Sequence, residues 1–298
     1  MADIKQIQDS MKTTQEWVAN RQAIHIARMT SAVDTLQNDI INLMAELNVN
    51  KGGKLGAARL NLKRLANVHK DVILAFEMDF NGAAKVVTDD FMRAQANIIA
   101  GYKDLDEAIK FSGADREMMN VLRDSSYKEY TLVGGQAQEK VVQSMYNSVL
   151  AGDTMADLTN EIRNTLTGVK AMNGRPLVNF ARLYANDMIM NFHNDVNLTK
   201  GLSIGMDRFL YYGTIMSRSR DFCKRRVGQA YTKKQIDSWK GNWKGKRGDA
   251  WTFRGGWNCR HHWQPVRKKW LDKYDPIEMQ NYFTETGQKI PKPVKAWS

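Results

Sequence analysis

Two cysteines, Cys223 and Cys259, are all that the 298 residues contain, too few for the disulfide framework of a small secreted domain. Proline is scarce as well. The five prolines, Pro176, Pro265, Pro276, Pro291 and Pro293, all lie beyond residue 175, so none interrupts a helix before that point. No apolar run approaches the roughly 18 residues that a membrane helix requires. The opening Met1-Ala2-Asp3-Ile4-Lys5-Gln6 lacks the basic-then-apolar order of a secretory signal. Synthesis in a reducing cytosol, with no membrane-spanning segment, is the expectation. Catalytic signatures are missing too: the sequence holds no Gly-x-x-x-x-Gly-Lys-Ser/Thr, no Gly-x-Ser-x-Gly and no His-Glu-x-x-His. His25, His69 and His193 fall in helical patterns, as surface or packing residues, and no enzymatic activity is expected. What remains is a chain 43% hydrophobic and 26% charged, long enough to bury a core as one large domain or two ordinary ones.

Apolar residues at Ile4, Ile7, Met11 and Val18 open a helical pattern that predicts one long helix over residues 3–48. Its second part, Ile26, Met29, Val33, Leu36, Ile40, Leu43 and Leu47, keeps a near-heptad seam, one residue out of phase with the first. Such a seam packs on the chain's own neighbours or pairs with a second copy or another protein. Asn50-Lys51-Gly52-Gly53 ends the helix, and further helices are predicted over 55–78, 83–111, 114–122 and 136–150. Asp153 or Thr154 then caps a short helix with Leu158, Ile162 and Leu166 on one face. Another long helix is predicted over 177–202 and a strand over Phe209–Ile215. The fold class is mainly α: a long-helix N-terminal region followed by a small α+β C-terminal module. The expected divisions are a long helix at 1–52, a helical region at 53–150, the module at 151–275 and an extended tail at 276–298.

Charge is distributed unevenly. The net charge is +12, and between Ser217 and Trp270 there are 16 Lys/Arg against 3 Asp/Glu, which leaves the remainder close to neutral. Seven of the eight tryptophans fall at or after Trp239. Lys224, Arg225, Arg226, Lys233, Lys234, Lys240, Lys244, Lys246, Arg247, Arg267, Lys268 and Lys269 are interleaved with Tyr231, Trp239, Trp243, Trp251 and Phe253. Cations in this density bind phosphates through counterion release without reading bases, and aromatic rings between them can stack on open strands. The alternatives are non-specific double-stranded DNA and an acidic protein surface. No recognition-helix or zinc-finger spacing points to sequence-specific reading.

Two segments carry the most information: Ser217-Arg218-Ser219-Arg220-Asp221-Phe222-Cys223 and Gly255-Gly256-Trp257-Asn258-Cys259-Arg260-His261-His262. They follow long helices, a short helix after Gly152-Asp153, another long helix and an aromatic strand. In that order and spacing, residues 150–270 resemble the phage Mu F-like family of minor head, or head-morphogenesis, proteins of tailed bacteriophages. The resemblance implies a virion structural protein, inside the head near the portal vertex, that assists head assembly, DNA packaging or genome delivery. Portal protein, major capsid protein, DNA and a second copy of the chain are its implied partners. Members of the family often carry an early Cys-x-x-Cys and a late Cys-Arg-Cys, whose positions here are Arg220, Cys223, Cys259 and His261. Cys223, Cys259 and His261 suit zinc. Arg220 cannot ligate, so His262, Asp221 or water has to complete a fourth position. Alternatively, the cysteines are buried small residues and no cofactor is present. Arg218, Arg220 and Asp221 either contact phosphate or pair internally, with Arg260 as a partner for Asp221.

Two rival functions use the same residues. A freestanding DNA-binding protein or metal-dependent nuclease, toxin-like in organisation, would be built on His261, His262, Cys223 and the few nearby acids Asp221, Asp237 and Asp249. A head–tail connector or adaptor would bind protein alone.

Overall fold

A computed structural model of the chain describes residues 4–56, 58–168, 175–239, 250–256, 258–271, 274–286 and 288. The fold is mainly α, with one small sheet in the C-terminal part. Two compact units divide it, one taking the chain up to Gln22, Asp90–Arg123 and everything from Asn186, the other Ala23–Asp89 and Asp124–Ala185. These units are not consecutive along the chain and do not follow the divisions expected at 52, 150 and 275, because the long helices contribute to both.

Helix α1 spans Ile4–Met44. Its buried stripe, continued into the following turn, is Ile7, Met11, Thr14, Val18, Gln22, His25, Met29, Val33, Leu36, Ile40, Met44 and Leu47. The steps are four, three and four, repeated, which is an eleven-residue period and keeps a nearly straight helix in register with its neighbours. The apparent phase shift in the sequence arises because three of these positions are polar. Met29, Val33, Leu36 and Ile40 are wholly buried, Leu47 is buried, and Ile26 and Leu43 are half-buried. This chain's own side chains fill the seam, so it is not a free face for a partner helix.

In the unit made of 23–89 and 124–185, helix α2 (Ala58–Ala75) runs through a π-helical turn, Phe76–Asn81, into α3 (Gly82–Asp89). The break predicted at Asn81-Gly82 is therefore a widened turn. Helix α4 (Phe91–Leu105) belongs to the other unit, and the single helix predicted over 83–111 is divided at Asp90. Helix α5 runs unbroken from Gly113 to Ala151, where the sequence predicts two helices. Gly134 lies in its middle because a Cβ there would stand 2.8 Å from the Phe80 ring, so glycine permits close packing and does not end the helix. Helix α6 (Met155–Leu166) starts with the predicted cap. Thr154 accepts from the Asp157 amide, Asp157 returns the bond to the Thr154 amide, and Leu158, Ile162 and Leu166 are buried. Thr154→Ala removes one half of this reciprocal cap and should lower stability by about 1 kcal/mol. Urea unfolding followed by circular dichroism reads the change, and an unaltered midpoint would count against the cap.

In the other unit, α7 (Leu177–Ser203) carries its last two-thirds, from Asn186. Strand β1 (Arg208–Tyr212) is shorter than predicted and precedes Gly213, whose φ of 137° ends the run. It is the central strand, pairing antiparallel with β2 (Gln229–Thr232) on one side and β3 (His262–Val266) on the other. Two asparagines on α7 close the outer edge of β3: Asn194 Oδ1 accepts from the Trp263 amide at 2.9 Å and Asn197 Nδ2 donates to the Trp263 carbonyl at 2.9 Å. Pro265 is tolerated on this edge strand, where Gly201 leaves it room; a Cβ at 201 would meet the ring at 2.6 Å. Helix α8 (Asp221–Lys224) joins β1 to β2, and α9 (Lys233–Asp237) follows β2. Residues Pro276–Tyr282 form α10, so the region after 275 is not wholly extended; the Pro/Lys run 289–295 lies outside the described residues.

Candidate metal centre

Three chain segments come together at the candidate site. Helix α8 is short and begins after Arg220, which places Cys223 on its inner side, 1% exposed. The second segment, 250–256 with 258–261, is made of tight turns. The Arg254 amide donates to the Ala250 carbonyl, Gly256 to Phe253 and Cys259 to Gly256. Its backbone enters the left-handed region at Arg254 (φ 48°), Gly256 (φ 126°) and Asn258 (φ 59°). Asparagine accepts that conformation more readily than most residues. The third segment is β1 itself, contributing Tyr211.

Helix α7 holds the turns in place. Both Asp187 carboxylate oxygens accept from the Asn258 amide, at 2.9 and 3.1 Å, and Asn186 Nδ2 donates to Asp187 Oδ1 at 2.9 Å. Arg254 is 1% exposed and donates through Nη1 to Asn191 Oδ1 at 3.0 Å. Burial raises the Asp187 carboxyl above its usual range, and the Arg254 charge opposes that rise. The left-handed turns at 254 and 258 are thus tied to one helix by two buried ionisable groups.

Within this frame, Cys223, Cys259 and His261 place one ligand atom each within 4.8 Å of one another. The sulfurs are 3.8 Å apart, unbonded, and Cys259 Sγ lies 3.5 Å from His261 Nδ1. Around tetrahedral zinc, with bonds of about 2.3 Å to sulfur and about 2.0 Å to nitrogen, these separations come to about 3.8 and 3.5 Å. The donor set and these two separations suit a zinc ion. The Gly255 amide donates to Cys259 Sγ at 3.4 Å, and a Cβ on Gly255 would fall 2.2 Å from Cys223 Sγ. Burial opposes ionisation of both thiols. At Cys259 it is outweighed by the hydrogen bond from Cys223 and by His261 and Arg254, which draw the thiol well below its usual range. Cys223, hydrogen-bonded to Cys259 and buried, is held well above. A thiol drawn down in this way favours a nearby cation. His261 is oriented by stacking on Tyr211, with ring centroids 5.4 Å apart and planes 9° from parallel.

The structure does not assemble the other ligands named from the sequence. Asp221 is exposed. His262 faces away, stacked on Tyr212 at 5.1 Å and edge-on to His193 at 5.2 Å. Asp221 and Arg260, both exposed, form no ion pair with each other among the described residues. Sequence reasoning does not single out Tyr211, Asp187 or Arg254; nothing in their local spacing marks them.

Part of the basic block is engaged internally. Arg226 packs over Phe222 (3.9 Å) and Trp239 (4.4 Å), Lys233 pairs with Asp237 at 2.5 Å and Arg267 with Asp106 at 3.4 Å. Arg218, Arg220, Arg225, Lys234, Arg260, Lys268 and Lys269 are exposed, and Lys224 is half-buried with Nζ on the Ser217 carbonyl. Lys240, Lys244, Lys246, Arg247 and Trp243 lie outside the described residues. Of the aromatic residues expected to stack on bases, Tyr231, Trp239 and Trp251 pack on other aromatic rings instead. Tyr231 lies 4.6 Å from Trp239, Trp251 4.7 Å from Phe209 and 5.5 Å from Trp263. Tyr231 and Trp251 are buried and Trp239 and Phe253 half-buried, because the small sheet has few aliphatic residues with which to build a core.

Compared with protein-family models, with curated proteins and with solved structures, the chain matches none. Among the described residues no helix is long and apolar enough to cross a membrane.

Proposed function

We propose that the chain is a minor structural protein of a tailed-phage virion, acting inside the head near the portal vertex in assembly, packaging or genome delivery. The observation that carries this reading is the meeting of the two segments on which the resemblance rests, Arg218–Cys223 and Asn258–His261, with sulfurs 3.8 Å apart. In this reading zinc on Cys223, Cys259 and His261 staples the segments beside the sheet. The three side chains are buried, as suits a structural ion, and no catalysis is assigned to them. The exposed cations Arg218, Arg225, Lys234, Arg260, Lys268 and Lys269 meet double-stranded DNA without base readout, or an acidic face of portal or capsid protein.

Salt dependence and co-purification test it together. The full chain should bind duplex DNA of any sequence, and its affinity should fall steeply with salt. Replacing Arg218, Arg225, Lys268 and Lys269 together by glutamine should flatten the log–log salt slope by about 0.9 for each phosphate contact removed. The chain should also purify with portal or capsid protein from particles. An unchanged slope with retained portal binding would favour the protein-only adaptor. Absence from particles, or metal-dependent nicking of plasmid that His261→Ala abolishes, would overturn the virion reading.

A further inference from the structure

The three ligands leave one vertex of a tetrahedron to be filled, and one buried oxygen lies against both sulfurs. Tyr211 Oη lies 3.4 Å from Cys223 Sγ and 3.5 Å from Cys259 Sγ. A tetrahedral oxygen ligand at about 2.0 Å from zinc stands about 3.5 Å from each sulfur at about 2.3 Å. Among the described residues these two sulfurs are the only hydrogen-bond partners of Tyr211 Oη, and sulfur is a weak partner for a buried phenol. We infer that Tyr211 Oη is the fourth ligand, completing a centre of two thiolates, one imidazole and one phenolate; this rests on the zinc reading given above.

The fold makes this position rigid. Tyr211 sits in the central strand, paired with Gln229 on one side and Trp263 on the other, and its carbonyl accepts from the Gly228 amide at 2.8 Å. Its ring is wholly buried between His261, stacked on it, and Trp263, 4.6 Å away. A swing of the side chain would open the core, so the oxygen is held where it is. Charge is accommodated as well. Two thiolates and a phenolate leave a zinc centre with one net negative charge, and Arg226, clamped between Phe222 and Trp239, acts electrostatically on Tyr211 and Cys223. Binding then releases up to three protons for each ion, two from the thiols and one from the phenol, less any already lost, and these protons go to solvent.

The test uses the full chain, stripped of metal with a chelator and titrated with Zn²⁺. The readouts are near-ultraviolet difference absorption, proton release and competition with a chromophoric chelator. Wild type should gain the absorption band of an ionised phenol on binding one zinc. Tyr211→Phe, which keeps both ring contacts, should lose that band, release about one proton fewer for each zinc and bind about tenfold more weakly or worse. Tyr212→Phe, altering the neighbouring phenol on the opposite face of the strand, should behave as wild type. Zinc binding by wild type without the phenolate band, or with equal affinity in Tyr211→Phe, would overturn the assignment of Tyr211 and leave the three-ligand site intact. No zinc binding by wild type would overturn both. Should Tyr211→Phe fail to fold by circular dichroism, the wild-type band and proton count decide.

Discussion

Gly255→Ala should unfold the C-terminal part of the chain far more readily than its single added methyl suggests. The new Cβ would stand 2.2 Å from Cys223 Sγ, 3.4 Å from Cys259 Sγ and 3.5 Å from the Phe222 ring. The first of these is well inside van der Waals contact, so an atom has to move. Cys223 cannot easily yield, because it is buried on a short helix and lies against Tyr211 in the central strand. Gly255 cannot yield either, since its amide points at Cys259 Sγ and the left-handed residues Arg254 and Gly256 flank it. Overpacking of a tight site typically destabilises by about 1–3 kcal/mol, and here the loss should reach about 3 kcal/mol or more because no flexible side chain can absorb it. Urea unfolding followed by tryptophan fluorescence measures it, since Trp251, Trp263 and Trp270 are all buried in this region. Thiol reactivity gives a second signal: Cys223 and Cys259 should react slowly in wild type and quickly in the variant. Gly135→Ala is the matched control. Its Cβ meets nothing within 4 Å in the middle of α5, so it should stabilise by about 0.5–1 kcal/mol. Equal midpoints for wild type and Gly255→Ala would show that the cysteine pocket is loose.

The helical framework is legible because it is written locally. The 3–4 spacing of apolar residues places α1, α6 and α7 close to their observed ends, and Thr154 announces its own cap. What escapes a sequence reading is set by packing across the chain. Thr14, Gln22 and His25 belong to the buried stripe of α1 although they are polar, so a hydrophobic count reads a phase shift where an eleven-residue period runs through. The span 123–135, left between two predicted helices, is continuous helix in α5, with Gly134 where Phe80 presses against it. Strands β2 and β3 are four and five residues long, too short for alternation to be distinctive amid so many lysines and tryptophans.

The candidate site divides in the same way. Cys223, Cys259 and His261 stand out by residue type, and the structure brings their ligand atoms together. Tyr211 reads only as an aromatic strand residue, and Asp187 as one acid on a long helix; their roles exist only once α7, β1 and the turns of 250–256 and 258–261 converge. Arg254 disappears into the basic block by composition, yet it is among the most buried side chains in the chain. Its hydrogen bond to Asn191 assigns it to the interior. The same holds for Arg226 and for the aromatic residues, which make the module's core where the sequence suggests a stacking platform.

Acid should weaken this module well before ordinary carboxylates titrate, and the reason lies in His193. Asn197 Nδ2 must donate to the Trp263 carbonyl, at 2.9 Å, which fixes the amide's orientation and aims its other hydrogen at His193 Nδ1, 3.2 Å away. That bond needs a lone pair on Nδ1, so His193 is held neutral. Burial, aided by the Arg254 charge, pulls its pKa down to about 4. His262, edge-on to it and equally enclosed, is lowered in the same direction by burial and by its charged and imidazole neighbours. An unfolded histidine titrates near about 6.5, so as pH falls the unfolded chain takes up the proton first. The stability contributed by neutral His193 is therefore complete above about pH 6.5 and is lost progressively between about 6.5 and about 4. From His193 alone, the loss between pH 7 and pH 5 is about 2 kcal/mol, and His262 adds to it. Asp187, whose pKa is raised by burial, acts in the opposite sense as it takes up its own proton, so it softens the slope at the acid end. Urea unfolding at pH 7 and pH 5 gives the difference directly. His193→Gln offers an oxygen to Asn197 and cannot titrate, and it should retain only the part of the slope that His262 supplies. A variant with the full wild-type slope would place the acid sensitivity elsewhere and remove the argument that Asn197 links α7 to β3 through a neutral imidazole.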